Sequence, residues 1–325
     1  MNTGGTRLAE EEAGEEENAM LFGRFVPKVL LVVAYSVAAA VPARAQHHHA
    51  ETEMLDFERP ESWGMKYYAS LALPTGMGAP QTRAAGEVDL GFEGGHVPQL
   101  SDAERRIGFG GTKLEDVNKT PLFGRARASV GLGNAVALEL AYTPPIEMAG
   151  ARANILALAL GRPFELAPSW RLGVRGYGQI GSIKADITCS ADEVAAGDDV
   201  QTNPFQCVHP SEDESRQKVV GLELVVGYDG RSRFKPYVGI GLNYLDLEFR
   251  VDAVYADGLV EDHAVQLTSG TTVFATAGLS FAASERVRFT AELFYSWLRV
   301  ARPPSTASAN EGLLNGRVLV SYRIN

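Results

Sequence analysis

From Arg286 to Arg299 the chain reads RVRFTAELFYSWLR. Val287, Phe289, Ala291, Leu293, Tyr295 and Trp297 fall on one side. Arg286, Arg288, Thr290, Glu292 and Ser296 fall on the other. A repeat of two held over about a dozen residues is a β-strand with one apolar and one polar face. Strands of globular proteins run about 5–6 residues. A strand tilted across a bilayer needs roughly 9–11, with lipid on one face and a polar interior on the other.

The pattern recurs along the chain. It starts at Trp63 with Met65, Tyr67, Ala69, Leu71 and Leu73 set against Lys66, Tyr68 and Ser70. It returns in 88–92, 122–130, 136–142, 154–160, 170–184, 220–228, 234–244, 273–281, 287–297 and 314–324. These are about eleven segments, and a single-chain barrel has an even number. The expectation is an all-β, antiparallel transmembrane β-barrel of about 12 strands, with 10 to 14 open. The missing strand is sought in 94–120, where Asp102 to Arg106 suits one helical turn. A soluble two-sheet sandwich is the competing all-β reading, but it predicts shorter strands.

Charge alternation locates the interior. An Arg or Lys facing lipid at mid-bilayer costs about 2–4 kcal/mol, so the charged faces must look inward. The predicted lumen set is Lys66, Glu87, Asp89, Arg125, Arg127, Glu139, Arg171, Arg175, Glu223, Arg288, Glu292, Arg317 and Arg323, with Glu93 beside them. Two uses of that set compete. The charges line a narrow pore whose arginine excess favours anionic or zwitterionic solutes, or they pair into a lattice that fills the lumen.

The ends and loops carry further expectations. Arg24 and Lys28, the apolar run Val29 to Val41 and Ala43-Arg44-Ala45 make 20–45 a signal peptide cleaved near Ala45. Glu10–Glu12 and Glu15–Glu17 do not suit a signal, so Met20 is the expected start and residues 1–19 an extraneous leader. Residues 46–63, with His47-His48-His49, are expected as a flexible tail, and 64–325 as the barrel domain. Cys189 and Cys207 flank a polar stretch, and an even cysteine count in an exported chain predicts a disulfide. Short links are expected at 133–134, 162–168, 229–232 and 283–285. Longer ones are expected at 143–150, 185–215, 246–270 and 300–311.

Signal, long amphipathic strands, alternating short and long links and a C-terminal strand together resemble the porin-like outer-membrane β-barrels of Gram-negative bacteria. That resemblance implies an outer-membrane location, short turns in the periplasm and long loops outside. It implies contact with outer-membrane lipid and lipopolysaccharide, and insertion by the barrel assembly machinery. Such chains typically end in an aromatic residue. Here the last aromatic residue is Tyr322, and the sequence ends in Ile324-Asn325.

The chemistry sought beyond transport is thin. All six histidines (47–49, 96, 209 and 263) fall in the tail or in irregular segments. GxSxG is absent, so no enzyme is expected. The run Asp192, Glu193, Asp198, Asp199 lacks the spacing of a calcium loop, so no metal or cofactor is expected. A net charge of −10 argues against a nucleic-acid partner. The leading functional expectation is a narrow passive channel or small-solute transport barrel with an Arg-rich lumen. The alternative is a closed structural or surface-binding barrel that uses loop 188–210.

Overall fold

The computed structural model describes residues 47–325. The expected leader and signal, residues 1–45, lie outside the described residues. Ten long strands form a closed antiparallel ring: β1 (Val88–His96), β2 (Leu122–Gly133), β3 (Val136–Thr143), β4 (Ala151–Ala167), β5 (Trp170–Ala185), β6 (Asp213–Tyr228), β7 (Phe234–Arg250), β8 (Val265–Ala282), β9 (Val287–Trp297) and β10 (Leu313–Arg323). Each pairs with its sequence neighbours, and β10 pairs with β1, Arg323 opposite Asp89 and Arg317 opposite Gly95. Two short strands, Thr52–Met54 and Glu147–Met148, attach to β8 and β4 without joining the ring.

The ring therefore holds ten strands, not twelve. The difference has one cause. The segment from Trp63, predicted as the first strand, is helix α1 (Pro60–Leu71), and it lies inside the barrel. Removing it from the eleven predicted segments leaves an even, closed set. Its two-residue alternation misleads because nearly every residue of α1 is buried. Trp63, Met65, Lys66 and Tyr67 are all 3% exposed or less. A helix enclosed on every side needs no 3.6-residue apolar stripe. The cues that mark its start are Pro60 in the first turn, where its missing N–H is no loss, and Glu61 beside it.

The outer face is an apolar band. Leu90, Phe92, Leu158, Leu222, Ile240, Leu293 and Val318 are all exposed, on alternate positions of different strands. So large a continuous apolar surface does not suit water and does suit lipid. Aromatic pairs sit near the short-turn end of the wall, Trp170 with Tyr228 at 5.7 Å between ring centroids and Phe234 with Phe281 at 5.0 Å. Tyr295 and Trp297 pair at 4.8 Å towards the other end. Barrels place such girdles at the two membrane interfaces.

Connections alternate in length. Turns at 134–135, 168–169, 229–233 and 283–286 lie at one end, with the C-terminus. Loops 97–121, 144–150, 186–212, 251–264 and 298–312 lie at the other. The predicted link at 162–168 shortens to two residues because β4 runs on to Ala167. The loop end is built up by a hairpin of Ala253–Tyr255 with Val260–Asp262, by Arg106–Gly108 with Lys113–Leu114, and by α2 (Asp102–Arg105) and α3 (Ala191–Ala196). The disulfide Cys189–Cys207 closes loop 186–212, whose cysteines pack with Val251, Ala253 and Ala264.

The segment before β1 threads the ring. His47–His49 runs parallel to Val260–Asp262, and Thr52–Met54 runs parallel to the loop end of β8. The stretch expected as a flexible tail is therefore paired in part. α1 then descends into the lumen, and residues 72–87 continue to the short-turn end. There the Gly86 N–H donates to the carbonyl of Gly131 at 2.8 Å.

Candidate functional site: a plugged lumen and a window in the wall

The end of α1 explains the placement of the lumen arginines. The last carbonyls of a helix have no partner within it, and they carry the negative end of its dipole. Here guanidinium groups from the wall supply the donors. Arg317 donates to the carbonyls of Ser70, Leu71 and Leu73 at 3.2, 3.3 and 2.7 Å. Arg125 donates to those of Ala72 and Leu73 at 2.6 and 2.9 Å. Arg175 reaches the Pro74 carbonyl at 2.5 Å and Arg127 reaches that of Thr75 at 2.8 Å.

Carboxylates from neighbouring strands hold these arginines. Glu93 pairs with Arg125 at 2.5 Å and with Arg127 at 3.0 Å. Glu139 joins Arg127 at 3.3 Å to Arg175 at 3.0 Å, and Glu223 takes Arg175 at 3.1 Å. Two of the carboxylates also grip the threaded segment. Glu223 accepts from the Gly76 N–H at 2.9 Å, and Glu292 accepts from Thr75 Oγ1 at 2.6 Å and from Tyr237 at 3.0 Å. Charges this deeply buried need partners, and most of these have them, although Glu223 Oε1 is left without one.

The remaining predicted lumen residues lie towards the two ends. At the short-turn end Arg323 pairs with Glu87 at 3.0 Å and with Asp89 at 3.3 Å, and Arg83 joins Asp89. Arg288 donates to Gln81 at 2.6 Å, and Arg171 pairs with Asp229 at 2.6 Å. Lys66 is not on the wall. It is carried by α1 near the loop end and donates to the carbonyls of Phe57 and Arg299 at 2.5 and 2.7 Å.

A second feature lies in the wall itself. Pro144 and Pro145 follow β3, and proline cannot continue a ladder. β3 therefore stops at Thr143, opposite Ile155 of β4, and its last pairing with β2 is Tyr142 with Ala126. Towards the loop end, 122–125 of β2 and 151–154 of β4 have no long strand between them. Only Glu147–Met148 pairs there, with Arg152 and Ala151. The window spans about four residues, roughly 13 Å of strand.

Behind the window lies a cavity of about 690 Å³. Its inner lining includes Phe123, Ile155, Ile183 and, from α1 and its C-cap, Tyr68, Leu71 and Ala72. Its outer rim includes Phe92, Leu122, Ile146, Met148 and Val318, which are exposed on the lipid face. Several of its polar neighbours are already engaged. Arg125 is bonded as above, Lys119 pairs with Asp116 at 2.6 Å and Asp186 at 2.8 Å, and Thr120 donates to the Leu122 carbonyl.

A smaller cavity of about 270 Å³ lies at the loop end. Ile107, Phe109, Ile187 and Phe249 line it, together with Glu61, Glu115, Asp262, Arg59 and His49. Burial pushes the Glu115 carboxyl up to about 8, and the Lys113 ammonium 2.5 Å away offsets this only in part.

The sequence reading did not single out Tyr68, Phe123, Ile155 or the window. The one legible cue was the Pro144-Pro145 pair, which marks where β3 ends. Among the described residues, no group of three or more His, Cys, Asp or Glu is placed to hold a metal ion.

A closed antiparallel ring, with an apolar band outside and ion pairs inside, defines the class: a transmembrane-type antiparallel β-barrel. The chain matches no protein-family model and no curated protein. Among solved structures it is similar to the Neisserial surface protein A NspA, with 9% identity and a TM-score of 0.30 over 73% of this chain and 95% of that one. It is similar to the outer membrane protease OmpT of Escherichia coli, with 9% identity and a TM-score of 0.33 over 74% and 94%. It is also similar to the toluene transporter TodX of Pseudomonas putida, with 11% identity and a TM-score of 0.29 over 86% and 78%. These are barrels of differing function.

Proposed function

We propose that the protein is an outer-membrane transport barrel that passes small apolar solutes sideways, from its upper lumen into the bilayer. In this reading residues 20–45 export the chain, and the barrel assembly machinery inserts it among outer-membrane lipid and lipopolysaccharide. The axis is closed by the chain's own residues 60–87. The lumen arginines hold that segment in place and do not line an open pore.

The single observation that carries the reading is the apolar cavity of about 690 Å³ behind the unpaired stretch of wall between β2 and β4. Its volume lies in the range of small-molecule sites, and its lining is mostly apolar. An uncharged apolar molecule loses nothing there by making no hydrogen bonds, whereas a charged one would pay for desolvation.

Filling the cavity tests this. Ala153→Trp places a large ring among the lining residues. The expected result is slower uptake of the neutral dye N-phenyl-1-naphthylamine into cells carrying the variant, at matched amounts of folded barrel. Planar-bilayer recordings of the native protein are expected to show little ion current. Unchanged dye uptake with a filled cavity would remove the lateral route.

A second reading, a surface-binding barrel, is favoured by the disulfide-clamped loop 186–212 at the loop end. Replacing residues 188–210 with a Gly/Ser linker would then abolish cell or ligand binding and leave the barrel folded.

A further inference from the structure

The two cavities share two lining residues, Tyr68 and Val117. Tyr68 lies on α1, and its hydroxyl donates to the Val117 carbonyl at 3.3 Å. One face of α1 runs past both spaces. Gly64 and Met65 line the loop-end cavity, Tyr68 lines both, and Leu71 and Ala72 line the window cavity. Steps of three and four residues put these on one stripe of the helix. The wall opposite is continuous in the same way, with Ile187 lining the first cavity and Ala185 and Ile183 the second.

The loop-end cavity reaches solvent. Phe109 and the side chains of Glu51 and Glu53, all among its lining residues, are each half exposed or more. The window cavity reaches the lipid face. Tyr68 and its contact with Val117 stand where the two meet, beside the Asp116 N–H, which donates to the Ile187 carbonyl at 3.1 Å.

We propose that Tyr68 is the gate of a single route from the outer surface, through the loop-end cavity, to the window between β2 and β4. This rests on the lateral-route reading and adds where the solute enters and which side chain limits it. The ring swings about its Cα–Cβ bond, and the long hydrogen bond to Val117 is the latch it gives up. The occupant is a free, uncharged apolar molecule from the aqueous side. Carboxylates outnumber the guanidinium around the outer cavity, with Glu51, Glu53, Glu61 and Asp262 against Arg59, so an apolar anion meets repulsion there.

The test uses full-length protein in cells with a lipopolysaccharide outer leaflet. Initial uptake rates of neutral N-phenyl-1-naphthylamine and of anionic 1-anilinonaphthalene-8-sulfonate are compared for wild type, Tyr68→Ala, Tyr68→Trp and Ala153→Trp. Folded barrel is matched by heat-modifiable gel mobility. Tyr68→Ala is expected to raise neutral-dye uptake severalfold, and Tyr68→Trp to lower it severalfold. The anionic dye is expected to stay slow throughout.

If Ala153→Trp slows the neutral dye while both Tyr68 variants match wild type, the gate is overturned and the window stands. Solute then enters from the lipid side, or the cavity seats a lipid chain. If Ala153→Trp has no effect, the lateral route itself fails. If Tyr68→Ala also opens an ion current in planar bilayers, the plug has loosened. Tyr68→Trp then decides, and unchanged uptake in it overturns the gate.

Discussion

Arg317 Nη1 donates to the carbonyl of Leu73 at 2.7 Å, and through this bond β10 holds the end of the plug helix. The same guanidinium lies 4.1 Å from the ring centroid of Phe294 and donates to Asn315 at 2.9 Å. It is 2% exposed. The wall and the plug therefore share one hydrogen-bonded interior.

Arg317→Ala leaves the Ser70 and Leu71 carbonyls without their guanidinium donor and removes the cation opposite Glu292 in the ladder. Breaking such a buried network destabilises by about 3–5 kcal/mol. The expected outcome is a lower urea midpoint for the refolded barrel. Intermittent ion current in planar bilayers is also expected where the wild type is quiet. A quiet variant of native stability would show that the plug is held elsewhere.

The strands were legible because lipid and lumen impose opposite demands on alternate residues. Leu222 and Leu224 face out and Glu223 faces in, and no other fold needs that alternation over so many residues. The plug was not legible for the complementary reason. Lys66 and Tyr67 meet protein on every side, so their order carries no periodic signature. The window was half legible, since Pro144-Pro145 marks an early end for β3. What it opens onto depends on Phe123, Ile155 and Leu71, which lie far apart in sequence.

Leu222 is 63% exposed, on the lipid face of β6. Leu222→Arg should therefore destabilise the barrel by about 2–4 kcal/mol in lipid vesicles. Folding titrations in phospholipid, compared with the same variant in a small-micelle detergent, check this. The loss should shrink where detergent lets the side chain reach water. An equal loss in both would mean that Leu222 packs on protein.

Cys189 and Cys207 close a segment with a sequence separation of 18. In the chain-entropy model a loop of this size contributes about 3 kcal/mol. Cys189→Ser/Cys207→Ser should lower the Tm of the loop end and expose 186–212 to protease. Heat-modifiable mobility should survive, because the ten-strand ring makes its hydrogen bonds without the loop. Reductant should reproduce the effect in the native protein and do nothing further to the variant.

Glu115 gives the loop end a pH dependence of definite sign. Burial raises its carboxyl from an ordinary 4.5 to about 8. Between those values the folded protein holds a proton that the unfolded chain has released. The stabilisation is therefore fully present below about pH 4.5 and is lost as pH rises through about 8. Glu115→Gln removes the titrating group and keeps the shape. Tm measured from pH 5 to 9 should fall more for the wild type than for the variant, and the difference should flatten above the raised pKa. Because Glu115 lines the loop-end cavity, its ionisation also adds negative charge beside the Tyr68 gate. Uptake of an anionic apolar dye should therefore drop further over the same pH interval in the wild type and stay level in the variant. Parallel curves for the two proteins would mean that Lys113 keeps Glu115 ionised across the whole range.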